Sequence, residues 1–317
     1  MNDPIATPSG ILVTGSSGFV GRHVLYALRQ RYPDVLIIAA SRSAQVIDKD
    51  LAVPMSISDI TNEFAWQAAL QGVSHVVHLA GLAHQPHRTA AEFMAVNAEG
   101  TAALARACAG TDVRRLVMIS SVAVMGDCRA IPPMADEQPA NPVTAYGLSK
   151  HHAERRLAEL LHSTMCDWVV LRPPLVYGPS PPGNLRRLMT LIKTGLPLPL
   201  ALADNPRSMI SIENLTSAIV AALCHPDVAR ETFLIADAET LTLAEVITAM
   251  AAGLGRSARL FPLPVRVLLT LSRLLGQEAA MVQMLAPLRI DPGRFSQRTG
   301  WQPHSNTASA LQRVWNQ

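Results

Sequence analysis

The 317-residue chain is predicted to be an α/β protein with a doubly wound parallel sheet and a smaller mixed α/β lobe towards its carboxyl terminus. Two observations lead to this fold class. Short apolar runs alternate with stretches long enough for crossover helices, and a glycine-rich turn joins the first apolar run to the first helical pattern. The composition, with 49% hydrophobic and 16% charged residues, excludes a disordered chain.

The predicted elements of the first half alternate between strand and helix. Residues 11–14 form an apolar run that ends at Gly15, after which apolar residues recur at helical spacing up to Pro33. Further strands are predicted at 35–40, 73–79, 115–119 and 168–171, and helices at 92–108 and 145–161. This alternation predicts a parallel sheet, because parallel neighbours need crossover connections.

The composition changes after Pro174. Seven prolines lie between positions 173 and 199, around a predicted helix at 184–193. Helices are also predicted at 214–223, 243–252 and 291–299, and a strand at 232–235. This mixed order predicts that part of the later chain returns to the main sheet.

Composition and spacing exclude several kinds of partner. The 27 basic and 24 acidic residues form no block of either sign, so no nucleic acid partner is expected. Cys108, Cys128, Cys166 and Cys224 lie far apart, which argues against a disulfide framework or zinc site and favours a reducing compartment. Residues 1–10 do not resemble a signal peptide, so a cytoplasmic location is expected.

Neither a membrane span nor a metal site is expected. The apolar segment 263–275 is shorter than the roughly 20 residues of a span, and it predicts an amphipathic helix packed on the body, with membrane-surface docking as the alternative. His75 and His78 would face opposite sides of a strand, which does not suit a shared metal ion. The other histidine pairs, which lack a third ligand at a suitable spacing, are His84/His87 and His151/His152.

The glycine-rich turn has the spacing of a dinucleotide-binding loop. Gly15, Gly18 and Gly21 follow the first strand and open the first helix, where they allow a tight turn and close approach to a pyrophosphate at the helix N-terminus. Ser17, Phe19 and Val20 complete the candidate cofactor contacts of this loop. A purely structural turn is the alternative.

The end of the second strand bears on the choice of cofactor. An acidic residue there would bind a free ribose 2′-hydroxyl, whereas Ser41 and Arg42 could hold a 2′-phosphate. NADP is therefore favoured over NAD. Asp59 and Ile60 lie between the predicted strands 35–40 and 73–79, where Asp59 either accepts a hydrogen bond from the adenine amine or caps a helix.

Tyr146 and Lys150 form a candidate acid/base pair. Their four-residue spacing places the phenol and the ammonium on the same helical face. A tyrosine transfers a proton near neutrality only when a positive charge stabilises its phenolate. Ser120 and Ser121 follow another strand at the ligand-binding edge, where one hydroxyl could bond the reacting oxygen.

Taken together, these residues resemble the extended short-chain dehydrogenases/reductases, and within them the nucleotide-sugar epimerases, dehydratases and ketoreductases. The resemblance covers nearly the whole chain. Its further motifs are at 59–60, 78–81, 96–101, 171–173, 291–294 and 299–301.

The resemblance implies roles for individual residues. Tyr146 would be the acid/base, Lys150 would bind the nicotinamide ribose and tune Tyr146, and Ser121 would bond the substrate C4 oxygen. The further cofactor-site residues implied are Leu79, Ala80, Gly81, Asn97, Ser120 and Pro173. The residues implied to hold the nucleoside diphosphate of a UDP-sugar are Asn184, Leu198 and Arg207, the last of which has a solvated surface role as its alternative.

The resemblance also implies domains and an assembly. A Rossmann-type dinucleotide-binding domain is expected in residues 1–176, joined by a returning segment at about 208–238. A nucleotide-sugar-binding lobe is expected in 177–207 and 239–317. Family members commonly pair through a four-helix interface, so a homodimer through the helices at 92–108 and 145–161 is expected, with a role of their apolar faces in the internal core as the alternative.

The expected reaction is an NADPH-dependent reduction of the C4 keto group of a nucleotide sugar. Val122 and Ala123 stand where the family's dehydratases carry Asp-Glu, which argues against dehydration. Overall likeness favours reductases of UDP-4-keto-6-deoxy-N-acetylhexosamines in surface-polysaccharide (O-antigen, lipopolysaccharide) precursor synthesis. A UDP-hexose or UDP-N-acetylhexosamine 4-epimerase with retained NAD is the alternative, followed by a catalytically silent NADP(H)-binding protein.

Overall fold

A computed structural model of the chain describes residues 7–43, 47–83, 87–126, 133–304 and 306–315. Cys128, His84 and most of the amino-terminal segment considered as a leader lie outside the described residues. The strands are β1 (Gly10–Thr14), β2 (Leu36–Ser41), β3 (Val53–Ser56), β4 (His75–His78), β5 (Arg115–Ile119), β6 (Asp167–Arg172), β7 (Leu175–Tyr177), β8 (Met209–Ser211) and β9 (Glu231–Leu234).

Seven strands within this described part form one parallel sheet in the order β3-β2-β1-β4-β5-β6-β9, and β7 pairs with β8 separately. The helices are α1 (Phe19–Arg31), α2 (Glu63–Ala69), α3 (Ala90–Phe93), α4 (Gly100–Ala109), α5 (Ala145–Leu161), α6 (Gly183–Lys193), α7 (Ile212–Cys224), α8 (Leu243–Gly253), α9 (Val265–Leu274), α10 (Glu278–Leu285), α11 (Gly293–Thr299) and α12 (Thr307–Trp315). A π-helical segment, Met94–Glu99, joins α3 to α4.

Helices cover both faces of the main sheet. Ile11 and Val13 of β1 pack in one core with α1 and α7, whereas Leu12 packs in a second core with α2, α4 and α5. This division follows from the strand geometry, because successive side chains point to opposite faces. The doubly wound parallel sheet predicted from the sequence is confirmed.

Helix α5 has the bounds predicted from the sequence. Its N-cap is Thr144, whose side chain accepts a hydrogen bond from the backbone N–H of Gly147. A Cβ at Gly147 would lie 2.4 Å from the carbonyl oxygen of Ala123, so this glycine lets α5 pack closely on the short 3₁₀ helix Val122–Met125. The close packing brings the first turn of α5 to the carboxyl ends of the strands.

The later chain contains a separate core that includes side chains from α6, α8 and α12. Strand β6 ends at Arg172, directly before the two prolines, and β7, which the sequence did not predict, begins at Leu175 and pairs with β8. Helix α11 begins at Gly293 rather than Asp291, since the Asp291 carboxylate accepts from the N–H of Gly293 before the helix starts. A three-residue strand between prolines leaves little periodicity in the sequence to detect.

Helix α9 packs on the body, as expected of an amphipathic helix, but only through a narrow face. Its buried residues are Leu268 and Ser272, while Leu271 and Leu274 are 47% and 79% exposed. Among the described residues, no helix has the length and apolar character to cross a membrane.

Candidate active site

Most of the predicted cofactor-binding and catalytic residues lie at the carboxyl edge of the main sheet. Gly15 follows β1, Leu79 follows β4, and Ser120 and Ser121 follow β5. These strands are neighbours in the sheet, with β4 between β1 and β5. Ligands of open parallel sheets bind beyond this edge.

The glycine loop is tightly packed. Gly15 has a φ of +67°, and a Cβ there would lie 2.7 Å from the backbone nitrogen of Ala80. A Cβ at Gly21 would lie 2.4 Å from the carbonyl oxygen of Gly15. Ser16, which the sequence argument did not select, donates from its hydroxyl to the carbonyl of Ala40 at 2.9 Å and so ties the loop to β2.

The N-terminus of α1 is free of side-chain caps. Gly18 occupies the N-cap position without a side-chain hydrogen bond, and the first turn carries no acidic residue. The first backbone N–H groups of a helix have no intrahelical acceptor, so those beginning with Phe19 and Val20 suit a phosphate oxygen. Ser17 lies partly exposed just before them. The loop therefore fits the pyrophosphate of a dinucleotide.

The end of β2 presents an exposed Arg42 beside a buried Ser41. The Ser41 hydroxyl donates to the carbonyl of Ser43 at 2.7 Å, and the carbonyl of Arg42 accepts from the Ser56 hydroxyl at 3.2 Å. The Ser41 proton is thus engaged within the turn. The guanidinium of Arg42 is the better placed of the two to meet a phosphate.

Asp59 does not cap a helix. Asn62 is the N-cap of α2, and its side chain accepts from the N–H groups of Phe64 and Ala65. The Asp59 carboxylate accepts from the N–H and hydroxyl of Thr61 at 2.9 and 2.7 Å, and these hydrogen bonds lower its pKa. The capping interpretation is therefore wrong, because the helix begins one turn later. The adenine contact of Asp59 and Ile60 stays a prediction.

A buried hydrogen-bond chain supports the loop after β4. The Thr101 hydroxyl donates to the carbonyl of Asn97 at 2.6 Å, so it must accept from Nε2 of His78, which lies 2.9 Å away. Nδ1 of His78 then accepts from the Thr14 hydroxyl, whose oxygen also receives the N–H groups of Leu79 and Ala80. Burial lowers the pKa of His78 to about 3, so the ring is neutral.

Asn97 lies in the π-helical segment and holds the same loop to α5. Its Oδ1 accepts from the N–H of Leu82 at 2.7 Å, and its Nδ2 donates to the carbonyl of Leu82 and the hydroxyl of Ser149. A Cβ on Gly81 would lie 2.8 Å from Asn97 Oδ1 and 3.3 Å from Lys150 Nζ. Asn97 is therefore a positioning residue in this structure.

Ser121 contacts Tyr146, and Lys150 follows Tyr146 by one turn of α5. The Ser121 side chain hydrogen-bonds Tyr146 and also accepts from the N–H of Ala123 at 3.2 Å. Ser121 and Tyr146 are both partly exposed, whereas Lys150 is buried and donates to the carbonyl of Ile119 at 3.0 Å. The ring of Phe93 meets that of Tyr146 edge-on, with centroids 6.0 Å apart.

The protein environment shifts the pKa values of both Tyr146 and Lys150. Burial raises the pKa of Tyr146, and the hydrogen bond from Ser121 offsets part of this rise. Burial lowers the pKa of Lys150 to about 8, against the opposing effect of the Glu154 carboxylate. Lys150 therefore stays charged at neutral pH, one helical turn after Tyr146.

A buried ion pair fixes the helix that carries these groups. Glu154 accepts from the Nε of Arg172 at 3.0 Å and from its Nη2 at 2.5 Å, and it also accepts from the Ser120 hydroxyl. Ser120 is thereby committed to Glu154. Sequence reasoning missed Glu154, although its four-residue spacing from Lys150 places both on one face of α5.

The residues predicted to hold the substrate lie in the later chain, in different environments. Asn184 is exposed near the start of α6. The side chain of Leu198 is buried, and its backbone N–H and C=O bond to Arg259 and Phe261. Arg207 donates to the carbonyls of Met284 and Ala286, both at 2.9 Å. Pro173 accepts from the N–H of Val122.

The described residues contain no cluster of three or more His, Cys, Asp and Glu side chains that could hold a metal ion.

Comparison with known proteins is consistent with this architecture. The sequence model of the NAD dependent epimerase/dehydratase family matches residues 11–236. The UDP-glucose 4-epimerase of Vibrio cholerae is 32% identical over 302 residues, which cover 93% of this chain and 91% of that protein.

Two solved structures show the same fold. The enzyme WbmG of Bordetella bronchiseptica, in complex with NAD and UDP, has a TM-score of 0.77 and 18% identity, with 98% of this chain and 95% of that chain covered. MoeE5, in complex with UDP-glucuronic acid and NAD, has a TM-score of 0.79 and 21% identity, with 96% and 97% covered.

Proposed function

Because this chain belongs to the NAD-dependent epimerase/dehydratase family, we propose that it reduces the C4 keto group of a UDP-4-keto-6-deoxy-N-acetylhexosamine with NADPH. The observation that carries the proposal is the hydrogen-bonded Ser121 and Tyr146, with Lys150 one helical turn away, at the carboxyl edge of the sheet. This arrangement suits proton donation to an oxygen at a carbon that accepts hydride.

The roles of the side chains follow from their contacts. Tyr146 donates its proton to the C4 oxygen, while the Ser121 hydroxyl polarises the carbonyl through a hydrogen bond. The charge of Lys150 offsets the negative charge left on Tyr146. A nicotinamide, when bound, would supply the hydride. The glycine loop and the uncapped start of α1 would hold the pyrophosphate, which keeps the two reactants in register.

A 4-epimerase with retained NAD is the second candidate. The Vibrio cholerae relative carries the name UDP-glucose 4-epimerase, and the two solved structures contain NAD with UDP or a UDP-sugar. The same tyrosine and lysine would serve, first to accept and then to return the C4 hydroxyl proton. The exposed Arg42 at the end of β2 favours the NADPH-dependent reductase.

Nicotinamide absorbance separates the two candidates. Cofactor-stripped protein is mixed with UDP-4-keto-6-deoxy-N-acetylglucosamine and either NADPH or NADH. We expect stoichiometric loss of NADPH and slower loss of NADH. Without net oxidation of either cofactor, conversion of UDP-N-acetylglucosamine to its C4 epimer in the presence of NAD would replace the reductase by the epimerase. Binding of NADPH with no conversion of either sugar would contradict both.

Replacing Arg42 by Ala tests the cofactor preference. We expect the affinity for NADPH to fall about tenfold, since a charge-assisted contact to the 2′-phosphate is lost, while the affinity for NADH changes little. Isothermal titration calorimetry with NADPH and with NADH measures the two affinities. The matched control is Arg31→Ala, which removes an arginine at the carboxyl end of α1, the end away from the glycine loop. Equal loss of affinity for both cofactors would remove Arg42 from its proposed role.

A further inference from the structure

The surface formed by α9, its C-cap Leu275 and the chain before the helix carries several exposed apolar side chains. Its exposed residues are Phe261, Val265, Val267, Leu271, Leu274 and Leu275, which are 36% to 79% exposed. Contiguous exposed apolar side chains mark interaction surfaces more often than scattered ones do. Covering these side chains would remove apolar area from water, which is favourable.

The exposed side of α9 has two stripes. At 100° per residue, Val267, Leu271 and Leu274 lie along one side of the helix, and Arg266 and Arg273 lie along the other. Leu268 and Ser272 face the body of the protein. An apolar stripe beside a basic stripe is the pattern of a helix that lies in the plane of a membrane interface.

The charge around α9 is mainly positive. Residues 253–277 contain four arginines and no acidic residue. Arg256 and Arg259, which precede the helix, are exposed and hydrogen-bond the carbonyls of Lys193 and Gly195 at the end of α6. Arg273 lies 3.6 Å from Glu278 in an exposed ion pair. Exposed ion pairs are weak, so Glu278 offsets the charge of Arg273 only partly. The surface is therefore basic as well as apolar.

We propose that α9 docks this protein on the surface of a membrane that contains anionic lipids. The apolar stripe would enter the boundary between headgroups and acyl chains, and the arginines would pair with the phosphates. A second copy of the chain fits less well, because a two-fold contact through α9 would bring two basic stripes together. The docking is peripheral and does not depend on the reaction catalysed.

Sedimentation with vesicles tests the proposal on the full chain. The expected result is binding to vesicles of phosphatidylglycerol and phosphatidylethanolamine (3:7), weak binding to pure phosphatidylcholine, and loss of binding at high salt. The double variant Leu274→Ser/Leu275→Ser is expected to bind at least tenfold more weakly, and Arg266→Gln/Arg273→Gln to lose the preference for anionic vesicles. Phe64→Ser, at an 81% exposed site on α2, is the control and should bind normally.

Folding and self-association are measured on the same variants. Circular dichroism and thermal unfolding should be unchanged in the leucine variant, since both side chains lie on the surface. Absence of binding to anionic vesicles, equal binding to neutral ones, or binding that survives the leucine changes would overturn the proposal. A change of oligomeric state by analytical ultracentrifugation in the leucine variant, without vesicle binding by the unaltered protein, would assign the surface to a second copy instead.

Discussion

Replacing Tyr146 by Phe is expected to reduce turnover by about 100-fold or more, while the affinity for the dinucleotide stays nearly unchanged. The substitution removes one hydroxyl and keeps the ring, so the edge-on packing against Phe93 is preserved. What disappears is the proton that the C4 oxygen needs when hydride arrives. In free-energy terms, a 100-fold loss corresponds to about 2.7 kcal/mol of transition-state stabilisation.

Steady-state kinetics and cofactor titration together check this result. Tyr26→Phe makes the same chemical change at an exposed position on α1 and should leave turnover intact. If Tyr146→Phe turned over at the normal rate, another group would have to supply the proton. If Tyr146→Phe lost dinucleotide affinity as well, the substitution would have altered the structure of the site and not only removed the proton donor.

The pH dependence of the unaltered enzyme follows from the same groups. Burial lowers the pKa of Lys150 to about 8, so its charge is present below that pH and is lost as the pH rises through it. Burial also raises the pKa of Tyr146, which keeps the phenol protonated at neutral pH. Reduction therefore uses the form that predominates at neutral pH, with Tyr146 protonated and Lys150 charged.

Much of the fold was predictable because its signals are local. Helix α5 has a Thr cap, apolar residues at every fourth position from Ala153 to Leu161 and no internal proline, so its position is indicated by the sequence alone. The glycine loop and the spacing of Tyr146 and Lys150 are equally local. The loop and the Tyr146–Lys150 pair each lie within fewer than ten consecutive residues.

The rest depends on contacts between distant segments. The sequence predicts Arg207 as a diphosphate contact or, alternatively, a solvated surface residue, and only the fold shows that it bonds the carbonyls of Met284 and Ala286. The hydrogen-bond chain through His78 joins β1, β4 and α4, which lie up to 87 residues apart in sequence from Thr14 to Thr101. No pattern within one segment indicates such a chain.

Glu154 illustrates the same limit in a residue with a large expected effect. We expect Glu154→Gln to lower the free energy of unfolding by about 3–5 kcal/mol, because it leaves the buried Arg172 without a counter-charge. Burial alone would raise the pKa of Glu154, but the hydrogen bonds and charge of Arg172 hold it below the ordinary value of 4.5. The stabilisation is therefore complete above that pH and is lost as the pH falls through the lower, folded-state pKa.

Denaturant unfolding of a double-mutant cycle measures this coupling. The pair Glu154→Gln/Arg172→Met should cost less than the sum of the single changes, since no unpaired charge is left buried. Glu159→Gln, which breaks the exposed pair with Arg155 on the same helix, is the control and should cost little. Unfolding of Glu154→Gln at the normal denaturant concentration would show that the pair does not hold α5 in place.

A pH–rate profile then distinguishes positioning from simple loss of stability. The Glu154 carboxylate opposes the lowering of the Lys150 pKa, so its removal should bring that pKa further below 8. The alkaline limb of the Glu154→Gln profile is therefore expected at lower pH than that of the unaltered enzyme. A uniform loss of rate at every pH would mean that Glu154 supports the fold of α5 but not the charge of Lys150. The Ser120 hydroxyl, at the end of β5, also donates to Glu154. A shift of the alkaline limb would therefore show that the end of β5 and α5 together set the charge available to Tyr146.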